Sequence, residues 1–156
     1  MTEHTPWLLI DVGNTAIKWR LANAEGLMDA GGSVSDMSSL CEAIEAENWG
    51  MVGLASVASD AAEAELIAAL TASGAIAVHR ATAQSTCLGL VSSYAEPELM
   101  GVDRWLAMLA AHAHNEGALC VIDAGTAVTV DLVSAEGLHE GGCILPGADL
   151  MRRALI

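Results

Sequence analysis

The chain has 156 residues, enough for one ordinary domain with a real core, and 53% of them are hydrophobic, which excludes a disordered tail. Its 6 basic and 20 acidic residues give a formal charge of −14, which opposes binding to nucleic-acid backbones or anionic membrane surfaces. A small anionic nucleotide stays compatible, because it needs only a local pocket of amides, a metal ion and one or two cations; Lys18 is the only lysine.

The polar stretch Met1–Pro6 and the short apolar run Trp7–Ile10 do not make a secretory signal, and no apolar stretch reaches membrane-spanning length. A cytoplasmic protein is expected. The four cysteines (Cys41, Cys87, Cys120, Cys143) are far apart and form no C-x-x-C, so they are expected to be small buried hydrophobes.

In chain order, an apolar strand (7–12) runs into an Asp-x-Gly turn, followed by strands at 15–22 and 27–35. A helix starting at Asp36 or Ser38 runs through Glu47. A buried strand follows at 51–57. Asp60 and Glu63 form a capping-box pattern for a helix ending near Ser73 and Gly74. Residues 75–79 read as a strand and 84–99 as a loop broken by Pro97. A helix is expected over 103–115, with Leu106, Leu109, Ala110 and Ala113 on its apolar stripe. Strands at 118–124, 126–134 and 138–145 complete the pattern. Strands alternating with helices predict parallel crossovers on a mixed sheet.

The pattern contains a repeat. Ile10-Asp11-Val12-Gly13-Asn14-Thr15-Ala16, continuing to Leu21 and Ala24-Glu25-Gly26, matches Ile122-Asp123-Ala124-Gly125-Thr126-Ala127, continuing to Leu132 and Ala135-Glu136-Gly137. One gap opposite Asn14 aligns them. Each copy reads as a hairpin whose turn glycine allows close approach of a ligand. A lone Asp-x-Gly is equally a plain hairpin turn; two matched copies favour a phosphate site. Backbone amides with Asn and Thr side chains can donate to phosphate oxygens, and a strand-end carboxylate can hold Mg²⁺ through its waters. Lys18 either reaches a phosphate or guards a strand edge. His112 and His114 are two apart and face different ways on a helix. His79 and His139 have no nucleophile pattern nearby. Trp7, Trp19, Trp49 and Trp105 read as core or dimer anchors.

Four motifs in order carry a family resemblance. Asp11-Val12-Gly13-Asn14-Thr15-Ala16-Ile17-Lys18 resembles the first phosphate motif of type III pantothenate kinases, which include the Bvg accessory factors. Tyr94, Pro97 and Gly101-Val102-Asp103-Arg104 resemble the substrate and catalytic segment. Asp123-Ala124-Gly125-Thr126-Ala127 and Gly141-Gly142-Cys143-Ile144-Leu145-Pro146-Gly147 resemble the remaining two.

The resemblance implies an α/β, actin-like ATPase or ribonuclease H-like fold with a mixed sheet. Its first lobe, at 1–116, is complete, and its second, at 117–156, is partial. It implies phosphorylation of pantothenate to 4′-phosphopantothenate, the first step of coenzyme A biosynthesis, by a homodimer. Asp103 is then the general base; Tyr94, Gly101, Val102, Asp103 and Arg104 bind pantothenate, with Arg104 on its carboxylate. ATP and Mg²⁺ fall to Asp11, Val12, Gly13, Asn14, Thr15, Ala16, Ile17, Lys18 and Thr126. Asp123 holds a monovalent cation, potassium or ammonium. Local sequence leaves other roles open: a helix N-cap for Asp103, a surface position for Arg104, a turn carboxylate without an ion for Asp123. The family has further sequence beyond the glycine-proline segment, so a fragment with weak or no activity of its own is expected. The competing reading is a non-catalytic nucleotide-binding or regulatory relative.

Overall fold

A computed structural model describes residues 5–155; residues 1–4 of the polar N-terminal stretch and residue 156 lie outside the described part. Alternation of apolar and polar residues sets the first half of the chain. β1 (Trp7–Val12) pairs antiparallel with β2 (Ile17–Asn23), which pairs antiparallel with β3 (Gly26–Val34). After α1 (Met37–Ile44), β4 (Met51–Ser56) pairs parallel with β1. After α2 (Asp60–Ala72), β5 (Ala77–Arg80) pairs parallel with β4. The result is a mixed sheet in the order β3-β2-β1-β4-β5. Leu8 and Ile10 of β1 and Ile17, Trp19 and Leu21 of β2 point to one face, as a period of two requires. There they meet Leu40 and Ile44 of α1 and Leu66 and Leu70 of α2. Leu9, Asp11, Lys18 and Arg20 fall on the opposite face.

Of the first two helix starts, one agrees with the sequence pattern and one differs. Asp36 caps α1, accepting from the Ser39 amide at 2.9 Å. The cap of α2 is Ser59, not Asp60, and Glu63 turns away from a capping box to pair with Arg80. Glu63 is buried, so the ion pair satisfies a charge that a reciprocal cap would have left half solvated.

The second half begins in the segment expected to be a loop. Its short strands β6 (Thr86–Cys87) and β7 (Leu90–Val91) form a hairpin, followed by a 3-10 turn at Pro97–Leu99. Then come α3 (Val102–His114), β8 (Leu119–Ala124), β9 (Ala127–Val133), β10 (His139–Pro146) and α4 (Ala148–Ala154). The order β10-β9-β8 is antiparallel throughout. Leu90, Met100, Trp105, Met108 and Val133 form the core. Trp105 and Met108 face inward with Leu109 beside them, whereas Leu106, Ala110 and Ala113 are exposed. The expected stripe is thus rotated by about one residue, with Trp105 and Met108 on the buried face.

Two compact units divide between Ala81 and Thr82. α3, placed with the first lobe by the expected division at 116, packs on β8 and β9 within the second unit. The cysteines depart from expectation: Cys41 and Cys87 are half-buried, and Cys120 and Cys143, on the strands of the second sheet, are exposed. The repeat itself is structural. The Gly13 amide donates to the Ala16 carbonyl, and the Gly125 amide to the Ala127 carbonyl. Val12 pairs with Ile17 and Ala124 with Val128, so the first turn is one residue longer, at Asn14. The next turns also match: the Glu25 amide donates to Asn23 Oδ1 and the Glu136 amide to Ser134 Oγ.

Candidate active site

The first turn of α3 brings together four of the predicted residues. Gly101 is the N-cap and Val102 the first helical residue, its side chain buried. Asp103 is therefore not the cap. It sits two positions past the cap, exposed, where its carboxylate accepts from the Arg104 amide at 2.9 Å and suits the positive helix end. A Cβ on Gly101 would stand 2.5 Å from Asp103 Oδ1, so the glycine leaves the carboxylate its place.

Arg104 is not a surface residue. Its side chain is 5% exposed and lies inside the second unit. Its Nε donates to Asp131 Oδ2 at 3.0 Å and its Nη2 to Asp131 Oδ1 at 2.5 Å, while Nη1 donates to the Tyr94 hydroxyl at 3.2 Å. The Asp131 hydrogen bonds hold the guanidinium pKa above its ordinary value, against the opposing pull of burial. Arg104 is thus a fixed cation.

Behind the arginine lies a group that sequence reasoning missed. His139 is fully buried; its Nε2 is 3.0 Å from Asp131 Oδ1 and its Nδ1 is 3.0 Å from the Ser93 hydroxyl. Ser93 is remote in sequence, so no pattern around His139 could show this contact. Its ring stacks on Tyr94, with centroids 6.1 Å apart. The usable signal was Asp131, a carboxylate two residues from buried Val133 on a strand of period two. A core-facing carboxylate demands a buried partner.

Strand irregularity aims these groups. The β9–β10 register shifts between His139 and Gly141, and Gly141 takes φ +125°. Beyond the bulge, Gly142 lies opposite Asp131. A Cβ there would strike Asp131 Oδ1 and stand 2.7 Å from Arg104 Nη2.

The remaining predicted residues lie on the two turns. In the first unit, Asp11 is half-buried at the end of β1, with exposed Lys18 opposite it in register. Gly13, Asn14 and Thr15 are exposed, Val12 and Ala16 half-buried. Ile17 is a core residue, so its side chain does not serve a ligand. In the second unit, Asp123 and Thr126 are exposed, and the Thr126 carbonyl accepts from the Gly147 amide at 2.8 Å. The amides of Gly13 and Gly125 close their own turns, so phosphate donors must come from the other turn residues. Among the described residues no three His, Cys, Asp or Glu side chains cluster as a metal site. A cleft of about 540 Å³ lies beside α1, but Glu42, Glu45 and Glu47 line it, which suits neither phosphate nor carboxylate.

These features define an α/β protein with duplicated Asp-x-Gly hairpins and a buried arginine beside an exposed carboxylate. The family model for type III pantothenate kinase matches residues 7–156. Proteins named type III pantothenate kinase are 43% identical in Marinobacter nauticus, 36% in Azotobacter vinelandii and 38% in Pseudomonas aeruginosa. These matches cover 95%, 94% and 95% of this chain and 62%, 60% and 61% of those proteins. The chain belongs to the type III pantothenate kinase family. It spans about three fifths of the length of these relatives. Among solved structures, an ADP-bound MreB5 of Spiroplasma citri matches with TM-score 0.43 and 12% identity, over 92% of this chain and 53% of that one.

Proposed function

We propose that the protein carrying this chain transfers the γ-phosphoryl group of ATP to the primary hydroxyl of pantothenate, in an actin-like fold. The observation that carries the reading is the first turn of α3. There a fixed, buried guanidinium and an exposed carboxylate occupy successive residues, 104 and 103. Pantothenate has a carboxylate at one end and a hydroxyl at the other, and these are the complementary groups.

Arg104 binds the substrate carboxylate through N–H groups that Asp131 and Tyr94 leave over. Asp103 accepts the hydroxyl proton late in transfer, as the hydroxyl oxygen bonds to the γ-phosphorus and the bond to the ADP oxygen breaks. Tyr94 and Gly101 shape the pocket. On the first turn, exposed Asn14, Thr15 and Lys18 supply polar hydrogens that fit a phosphate chain; on the second turn, exposed Thr126 offers another. Asp11 fits Mg²⁺, which keeps several waters and needs few protein ligands; bound there, the ion offsets charge on the transferred group. Asp123, exposed at the end of β8, suits a monovalent cation, potassium or ammonium. A cytoplasmic homodimer completes the proposal.

A coupled ADP-release assay on the full-length protein with pantothenate, ATP, Mg²⁺ and K⁺ tests it. Pantothenate-dependent ADP release is expected. ATP binding with no such turnover would instead favour a non-catalytic nucleotide-binding relative.

A further inference from the structure

We propose that Asp131 and His139 are positioning residues that fix the Arg104 guanidinium as a carboxylate-binding fork, in a seat that exists because residue 142 is glycine. The inference rests on the reading of Arg104 as the group that binds the pantothenate carboxylate.

A guanidinium carries five N–H groups. Asp131 takes one from Nε and one from Nη2, and Tyr94 takes one from Nη1. One N–H remains on each of Nη1 and Nη2. Two donors on different nitrogens are the set that a planar carboxylate accepts bidentately. Asp131 thus restrains the cation without exhausting it, and less side-chain freedom is lost when a ligand binds.

Asp131 is 2% exposed, and a buried ion pair seldom stabilises a fold more than apolar residues of the same volume. Stability alone therefore does not account for the pair. Nor is the histidine placed to react. Both its ring nitrogens are committed, to Ser93 and Asp131, and the carboxylate beside it is bound on both oxygens by Arg104. His139 touches Asp131 and stacks on Tyr94, the two side chains that grip the guanidinium. It braces both.

The bulge after His139 puts Gly142 opposite Asp131, where any side chain would collide with the ion pair. The Gly-Gly pair in β10 thus has a physical reason in the seat of Arg104.

The test uses the full-length protein, with KM for pantothenate, KM for ATP, kcat and the melting transition measured for each variant. Asp131→Asn should raise the pantothenate KM by about tenfold or more, the scale expected when a binding group is misplaced. The ATP KM should stay within about twofold, since Asp131 belongs to the seat of Arg104 alone. An unchanged pantothenate KM, or equal changes in both KM values, overturns the inference and leaves the kinase reading standing. A wild-type protein without pantothenate-dependent turnover overturns that reading and this inference with it. Should Asp131→Asn fail to fold, His139 decides. His139→Leu fills the space and should raise the pantothenate KM several-fold, while His139→Gln, which keeps a donor toward Asp131, should recover most of the loss. Equal behaviour of the two would make His139 mere filling and defeat the proposal.

Discussion

Asp103 and Arg104 are adjacent in sequence but about 100° apart around α3, so one faces solvent while the other is buried. That difference separates their roles. Replacing Asp103 by Asn keeps the shape and its acceptor for the Arg104 amide but removes the proposed base. Turnover should fall by about 10²–10⁴-fold, with ATP binding by calorimetry unchanged. An Asn variant of near wild-type rate would remove Asp103 as the base. At Asp36 the environment predicts a titration. The Ser35 hydroxyl and then the Ser39 amide hold its pKa below the ordinary 3.8. A depressed carboxylate stabilises the fold fully above its ordinary value, and the contribution is lost as pH falls through the lowered one. The Ser39 amide resonance should therefore shift with a midpoint below pH 3.8, and Asp36→Asn should abolish the shift. A midpoint at or above 3.8 would contradict the cap.

At the scale of elements, strands and helices whose pattern is local were legible in the sequence. β1 ends at Val12 as expected, and the extra residue Asn14 reappears as a longer turn. What the sequence hid was set by contacts between distant segments. The loop at 84–99 contains a hairpin whose Leu90 is fully buried against α3 residues. The α3 stripe follows the contacts that Trp105 and Met108 make with Leu90, Met100 and Val133, not the count of apolar positions. The site was half legible for the same reason. The Gly101–Arg104 run is contiguous, but Asp131, His139 and Ser93 meet only through the pairing of β9 with β10 and the approach of the segment near Tyr94. β10 offers a test. Gly142→Ala places a methyl group against Asp131 and the Val130 carbonyl, and overpacking of this kind costs about 1–3 kcal/mol. The melting transition should fall and the pantothenate KM rise together. A variant with both unchanged would show that the strand can yield there.

The 156-residue chain has a formal net charge of −14 and a pI near 4.4, so mutual repulsion opposes its compact state at neutral pH. Salt should stabilise it by screening, since the Debye length shrinks to about 10 Å at 0.1 M. The same experiment isolates the proposed cation at Asp123. Screening depends on ionic strength and treats sodium and potassium alike, whereas a site adds a term set by the concentration and affinity of its own ion. In matched NaCl and KCl series, both melting temperatures should rise by about 2–4 °C, the shift given by ~1 kcal/mol at this chain length. KCl should add a further increment that Asp123→Ala removes, leaving the two salts equal. Identical curves for wild type would end the case for a potassium-selective site at Asp123, and a fall in NaCl would show that repulsion is not what limits the fold.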